Sequence, residues 1–228
     1  MNSVDPLLVF SQLTKKGWVL IPFVFAGASH EIIRCLGPII PQGKGEIEYR
    51  DLVPYEAASA PPASMSSVIG TGEQPMHTDS AYLPSPPRFI ALHCLSAGEF
   101  PCPTHLWIAD HDLMLKERPT PLAEPKWIFR GGGHSPFYSS IMEVRGGQIR
   151  TRFDPLCMRL SSANPQAMGE AQFTLTGYTQ HLLIEWKQGS LLVLDNWRCL
   201  HARGAGADKS PSRKLRRWSI GATNGLGD

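Results

Sequence analysis

Residues 189–203 have the sequence Gly189-Ser190-Leu191-Leu192-Val193-Leu194-Asp195-Asn196-Trp197-Arg198-Cys199-Leu200-His201-Ala202-Arg203. The Gly-Ser pair is a turn signal, and the four aliphatic residues after it predict a short, buried strand. This strand leads through the polar stretch 195–198 to a single histidine, His201. The segment therefore predicts a buried strand that is followed at once by a candidate site residue.

Outside this segment, the chain has many short apolar runs separated by turn signals and few helical stretches. We expect strands at 18–22, 89–95, 106–108 and 147–153, a loop at 59–67, and helices at 7–16, 110–118 and 165–186, with Gly177 interrupting the last helix. The regular strand–helix alternation of a doubly wound sheet is absent. The predicted fold class is mainly β with flanking helices, arranged as an antiparallel sandwich or jelly roll, in one domain spanning 1–228.

The composition is that of an ordinary globular protein, and it limits the classes of partner that we expect. The chain of 228 residues is 42% hydrophobic and 18% charged, with a net charge of +2. No Lys/Arg run lies outside 213–217, so no nucleic-acid partner is implied.

No apolar run approaches the length of a membrane span, and the first residues lack a signal-peptide pattern. The five cysteines form no C-x-x-C pair, which favours a reducing compartment, so we expect a cytoplasmic protein. The oligomeric state is left open.

A second polar motif, His77-Thr78-Asp79, precedes His201 by more than a hundred residues. On an extended chain, the side chains at positions i and i+2 point to the same side, so His77 and Asp79 can coordinate one metal ion. Two imidazoles and one carboxylate form the facial triad that holds Fe(II) and leaves one face of the octahedron open. Arg213 follows His201 by twelve positions (213 − 201 = 12) and is a candidate anchor for an acidic cosubstrate.

These motifs together resemble the Fe(II)/2-oxoglutarate-dependent oxygenases of the taurine dioxygenase, clavaminate synthase-like and γ-butyrobetaine hydroxylase superfamily. The resemblance spans about residues 66–222. Residues 189–203 are similar to the segment that carries the second histidine ligand in this family. The segment that carries the family's first ligands is similar to Gln74-Pro75-Met76-His77-Thr78-Asp79, followed by Leu92-His93-Cys94-Leu95. The resemblance implies a distorted double-stranded β-helix, which is a jelly roll, with iron in its mouth.

The resemblance also implies roles for individual residues. His77, Asp79 and His201 would be the Fe(II) ligands, and Arg213 would form a salt bridge with the distal carboxylate of 2-oxoglutarate. Thr104 would hydrogen-bond the same carboxylate, although Cys102-Pro103 replaces the usual Gly-Gly before it. Arg217 would contact the substrate or the keto-acid end of the cosubstrate. A carboxylate at position 79, which related halogenases lack, favours hydroxylation, desaturation or cyclisation.

The expected activity is oxidation of an unactivated C–H bond of a small molecule, with O2 and 2-oxoglutarate as cosubstrates. An amino-acid derivative or a natural-product intermediate is the expected substrate class. Glu73 and Tyr82 are candidate substrate contacts at the rim of the pocket. Two alternatives remain open, namely an iron oxidase that does not use 2-oxoglutarate and a jelly-roll binding protein with a vestigial metal site. A cupin-type site would usually supply a closely spaced histidine pair and a glutamate, which the sequence lacks.

Overall fold

The computed structural model of the protein describes residues 5–41, 47–62, 64–145, 148–161 and 164–222. Within these ranges, two short 3₁₀ turns occur at Ala57–Ser59 and Ala207–Lys209. The α-helices are α1 (Pro6–Lys16), α2 (Ala26–Arg34), α3 (Ser66–Ile69), α4 (His111–Glu117), α5 (Thr120–Ala123) and α6 (Ala167–Gly177). No helix of the described residues has the length and apolar character needed to cross a membrane.

The strands are short and mostly antiparallel to their neighbours. They are β1 (Trp18–Ile21), β2 (Ile39–Ile40), β3 (Arg50–Leu52), β4 (Phe89–Ser96), β5 (Thr104–Ala109), β6 (Trp127–Gly131), β7 (His134–Ser139), β8 (Met142–Arg145), β9 (Gln148–Thr151), β10 (Met158–Leu160), β11 (Thr179–Ile184), β12 (Leu191–Asp195), β13 (Cys199–Arg203) and β14 (Lys214–Ile220).

The largest sheet has the strand order β1-β12-β4-β14-β2, with β3 also paired to β14. Strand β12 is the aliphatic run of residues 189–203, and all five of its residues are buried. Its alternate side chains serve two cores. Leu191 and Val193 pack toward α1 and α2, whereas Leu192 and Leu194 pack toward a second sheet. Burial on both faces explains why this strand is a continuous apolar run.

The second sheet has the order β11-β5-β13 and faces the first. The core between the two sheets includes Ile90 and Leu92 from β4, Leu106 and Ile108 from β5, and Cys199 from β13. His77 extends this sheet by one residue, because it forms an antiparallel bridge with His201. A third cluster of buried residues lies around β6, β8, β9, α5 and α6. The candidate ligands His77 and His201 thus lie at the edge of a two-sheet sandwich.

Local sequence signals explain the boundaries of helix α1. The Asp5 carboxylate accepts a hydrogen bond from the Leu7 N–H at 2.9 Å, and Pro6 occupies the first turn, where no intrahelical N–H bond is lost. Gly17 ends the helix in the left-handed region, with φ of 81°. Its N–H is donated to the Leu13 carbonyl at 2.8 Å. Such a cap favours glycine because a Cβ is strained at this φ.

Each predicted strand and helix has a counterpart in the structure, with two differences, whereas several other elements, such as α2 and β6, were not predicted. The helix predicted over 165–186 ends at Gly177, and Thr179–Ile184 is strand β11, paired with β5. The loop predicted at 59–67 begins in a 3₁₀ turn and ends in helix α3. Residue 63 of this loop, residue 147 of the predicted strand at 147–153 and residues 1–4 of the N-terminal segment lie outside the described residues.

Candidate metal centre

Three buried side chains from two distant segments meet at one point. The Nε2 atoms of His77 and His201 lie 3.9 and 4.0 Å from Oδ1 of Asp79. The imidazole ring centroids are 4.5 Å apart, and the candidate ligand atoms all lie within 4.8 Å of one another. Ligands about 2.1 Å from one ion in a cis arrangement are about 3 Å apart. Side-chain movements of about 1 Å therefore bring the three groups to metal-binding distance.

The backbone sets this arrangement. His77 and His201 exchange backbone hydrogen bonds, with N···O distances of 3.0 and 2.8 Å. Thr78 points away from its two neighbours, and its hydroxyl accepts a hydrogen bond from the Phe153 N–H at 3.1 Å. The Thr78 N–H is donated to the Phe153 carbonyl at 2.7 Å. Because Thr78 anchors the segment on one side, His77 and Asp79 share the other side.

Asn196 fixes the position of Asp79. The Asn196 side chain accepts a hydrogen bond from the Asp79 N–H at 2.8 Å and donates to the Asp79 carbonyl at 3.0 Å. It also donates to the Pro87 carbonyl at 3.1 Å. One buried amide thus joins the first-ligand segment to the turn between β12 and β13, a contact that spacing in the sequence does not reveal.

Arg217, on strand β14, supplies the positive charge that Asp79 requires. Its Nη1 lies 3.1 Å from each carboxylate oxygen of Asp79. Burial raises the pKa of Asp79, but the charge and hydrogen bonds of the Arg217 guanidinium outweigh burial and hold this pKa below its ordinary value. Asp79 is therefore an ionised carboxylate, which is the form that binds metal ions.

The histidines are suited to bind a cation through a lone pair. His77 Nδ1 lies 2.9 Å from the Pro75 carbonyl, so Nδ1 carries the proton and the Nε2 lone pair faces Asp79. Burial, aided by the neighbouring His77, lowers the pKa of His201 to about 3. His201 is therefore a neutral imidazole at pH 7. Its Nδ1 is buried without a hydrogen-bond partner among the described residues.

The three ligand candidates line a cavity of about 240 Å3. Thr104 and Arg213 line the same cavity, as do Arg217 and Tyr82. The remaining candidate from the sequence, Glu73, is exposed and is absent from the cavity wall, whereas its neighbour Gln74 belongs to it. The Tyr82 ring stacks on His134 with centroids 5.9 Å apart. The fold thus brings seven of the eight candidate residues to one cavity.

Arg213 is the most unusual group in this cavity. It is buried, with 4% of its surface exposed. Among the described residues, its guanidinium has no ion pair or hydrogen bond, and its Nε is inaccessible to solvent. The titratable groups that act on it are the thiols of Cys94 and Cys102. Burial raises the pKa of both thiols, that of Cys94 to about 11, so neither carries negative charge at pH 7.

Comparison with known proteins defines the fold class. No protein-family model and no curated protein sequence matches the chain significantly. Solved structures do match, among them non-heme iron oxygenases, and the jelly-roll prediction is confirmed.

Three of these structures illustrate the likeness. The non-heme iron oxygenase OrfP in complex with Fe and alpha-ketoglutaric acid has a TM-score of 0.69 and 16% identity, over 95% of this chain and 78% of that one. An asparagine oxygenase in complex with Fe(II), 2S,3S-3-hydroxyasparagine and succinate has a TM-score of 0.72 and 14% identity, over 94% and 78%. PvcB from Pseudomonas aeruginosa has a TM-score of 0.67 and 21% identity, over 95% and 80%. At these identities the likeness establishes the fold.

Proposed function

We propose that this protein is an Fe(II)- and 2-oxoglutarate-dependent oxygenase that oxidises a C–H bond of a small molecule, most simply by hydroxylation. The observation that carries this proposal is that one cavity holds both a His-Asp-His cluster and a buried arginine that has no counter-ion among the described residues. The cluster fits a divalent cation, and the arginine fits an anion beside it. The solved structures with the same fold hold Fe with alpha-ketoglutaric acid or succinate.

The donor set of His77, Asp79 and His201 matches the facial triad of non-haem Fe(II) oxygenases. The ionised Asp79 and the neutral His201 are already in the protonation states that metal binding requires. When bound, iron and the keto acid supply the oxidising chemistry, in which O2 is consumed and 2-oxoglutarate becomes succinate and CO2. The chain itself holds these reactants, orients the substrate and limits the access of water.

Arg213 is suited to bind the distal carboxylate of 2-oxoglutarate. A buried charge without a partner is unfavourable, and a carboxylate that enters the cavity offsets this cost. The planar guanidinium can bind both oxygens of the carboxylate, which an ammonium group cannot do. An iron oxidase without an acidic cosubstrate has no use for this cation, so Arg213 favours the 2-oxoglutarate-dependent alternative.

Arg217 has a different task in this proposal. Since its Nη1 is bonded to both oxygens of Asp79, it orients a metal ligand in the absence of substrate. Arg217 also forms part of the cavity wall. To contact the keto acid or the substrate, as the sequence predicts, its guanidinium must reach past Asp79 into the cavity.

The other residues that line the cavity favour a substrate that carries both a positive and a negative charge. Asp154 and Arg50 line the cavity, and among the described residues neither forms an ion pair. Arg50 lies directly opposite Arg217 in the β3–β14 pairing. An amino-acid derivative can place its cationic group near Asp154 and its carboxylate near Arg50, with Tyr82 at the rim. The similar structures include complexes with (3S)-hydroxy-L-Arg and with 3-hydroxyasparagine.

The test is succinate formation by the purified protein with Fe(II), O2, 2-oxoglutarate and a panel of amino acids and their derivatives. Stimulation of succinate release by one compound, together with a product heavier by one oxygen, is the expected result. Arg213→Ala should raise the KM for 2-oxoglutarate by at least tenfold, because it removes a charge-assisted bidentate contact. Arg216→Ala is the matched control, because Arg216 is bonded to Asp51 instead of facing the anion site.

Two outcomes separate the alternatives. Oxygen uptake that is independent of 2-oxoglutarate and of Arg213 would identify an iron oxidase of another type. Failure of the wild-type protein to bind Fe(II) would leave a binding protein with a vestigial site. His201→Ala, compared with the exposed His181→Ala, reports whether any bound iron occupies the proposed centre.

A further inference from the structure

Trp186 lies outside the cavity wall but contacts one of its polar groups. Its indole Nε1–H is donated to the Thr104 hydroxyl oxygen at 3.0 Å. Thr104 is the first residue of β5 and is 4% exposed. Trp186 follows β11, the strand that pairs with β5, and its ring is half-buried against the core between the two sheets.

The hydrogen bond from Trp186 restricts what the Thr104 hydroxyl is able to do. A hydroxyl has one O–H donor and two acceptor lone pairs. The indole N–H occupies one lone pair, and among the described residues no acceptor is assigned to the Thr104 proton. Because Thr104 lines the cavity, the next acceptor available to this proton is a group bound there. The hydroxyl is therefore set to act as a donor.

We propose that Trp186 is a positioning residue for the anion site: its indole N–H holds the Thr104 hydroxyl so that the O–H is donated, alongside the Arg213 guanidinium, to a carboxylate in the cavity. Arg213 supplies positive charge without a counter-ion, and Thr104 supplies a directed neutral donor. This role rests on the proposed function, because the carboxylate is taken to be the distal end of 2-oxoglutarate. It adds to that function a residue that neither lines the cavity nor touches the ligand.

The contribution of Trp186 is expected to be modest and specific. One net hydrogen bond is worth about 0.5–1.5 kcal/mol, so losing the orientation of the Thr104 hydroxyl should weaken 2-oxoglutarate binding by roughly 2–10-fold. The rate at saturating 2-oxoglutarate should stay the same, because among the described residues Trp186 has no hydrogen bond to a metal-ligand candidate and reaches the cavity only through Thr104. A residue that merely supported the fold would lower stability without this selective effect on one ligand.

The experiment compares the dissociation constants of 2-oxoglutarate for Fe(II)-loaded variants under anaerobic conditions, where no turnover occurs. Trp186→Phe keeps an aromatic ring but removes the N–H together with part of the indole, so a control with the same loss of ring size is needed. Its expected effect is the 2–10-fold weakening, with an unchanged turnover rate at saturation. Trp107→Phe is the matched control, because Trp107 is also half-buried on β5 but lies against His105 and His181.

A double-mutant cycle shows whether Trp186 acts through Thr104. In a Thr104→Val background the hydroxyl is gone, so adding Trp186→Phe should cause no further loss of affinity. In a Thr104→Ser background the hydroxyl remains, so Trp186→Phe should again weaken binding. Additive losses in the Val background, or full affinity in Trp186→Phe, would refute the role of Trp186. Failure of the wild-type protein to bind 2-oxoglutarate would instead refute the proposed function itself.

Discussion

Arg217 Nη1 and the carboxylate of Asp79 form a forked hydrogen bond, with 3.1 Å to each oxygen. Both side chains are largely buried, at 19% and 10% exposure. The same carboxylate faces the two histidines, so one anion is shared between a permanent guanidinium and the candidate metal position. Before iron binds, Arg217 is thus the nearest full positive charge to Asp79.

Arg217→Gln should destabilise the metal-free protein by about 1–3 kcal/mol, because it leaves a buried carboxylate with a weaker partner. Divalent metal ions should then raise the melting temperature of the variant more than that of the wild type, since the ion no longer meets a neighbouring guanidinium. Urea unfolding in the presence of a chelator, repeated with Fe(II) under anaerobic conditions, measures both effects. Equal metal-free stabilities would show that Arg217 does not compensate Asp79.

Asn196→Ala should lower the free energy of unfolding by about 2–4 kcal/mol. The substitution removes the partners of the Asp79 N–H, the Asp79 carbonyl and the Pro87 carbonyl, all within a buried region. Denaturant unfolding measures this change, and iron titration should show weaker binding because Asp79 loses its orientation. Asn164→Ala serves as the control, since this exposed side chain accepts a single hydrogen bond within the described part of the chain, from the Gln166 N–H. A loss no larger than that of the control would contradict the assignment.

The metal-free protein should lose stability as the pH falls from about 6.5 toward 3. Burial lowers the pKa of His201 to about 3 and that of His111 to about 4. The unfolded chain takes up protons at these histidines near pH 6.5, whereas the folded protein resists protonation until their lower values. Each group contributes a slope of about 1.4 kcal/mol per pH unit within its window. His111→Gln should flatten the curve between pH 6.5 and 4, as followed by urea unfolding with a chelator. If the pH dependence of the free energy of unfolding is unchanged in this variant, His111 is not held neutral by the folded protein.

Asp154→Asn should raise the KM for a cationic amino-acid substrate by about tenfold, because a charge-assisted hydrogen bond becomes a neutral one. The KM for 2-oxoglutarate should stay constant, since Arg213 and Thr104 serve that ligand. Steady-state kinetics with the compound that stimulates succinate release provides the measurement. Asp112→Asn, an exposed position on α4, is the control. Equal effects on substrate and cosubstrate would indicate a general disturbance of the cavity.

Sequence patterns predicted the elements whose signals are local. The capped helix α1 and the buried apolar runs of β4 and β12 follow from residues within each element. The same patterns failed at 179–184, where β-branched Thr179 and the pairing with β5 outweigh helical periodicity. A strand whose paired residues lie 70 to 80 positions away (179 − 109 = 70, 184 − 104 = 80) gives no signal within its own sequence.

The residues of the candidate site likewise include some that sequence patterns predict and some that they do not. His77, Asp79 and His201 could be selected because their residue types and spacing match one chemistry, and the fold brings them together. The contacts of Asn196 with Asp79 and of Trp186 with Thr104 could not be selected, since they join side chains 117 and 82 positions apart. Such contacts depend on how the two sheets are stacked, which single-chain patterns do not encode.

The backbone bridge between His77 and His201 bears on how the protein acquires its metal. The two residues are 124 positions apart (201 − 77 = 124), and their ladder forms only when β13 has joined the sheet next to β5. A growing chain therefore has no complete metal pocket until residue 201 has been synthesised and docked. A one-residue slip of β13 would turn His201 to the opposite face. In the proposed function, iron loading would therefore follow the docking of β13 beside β5.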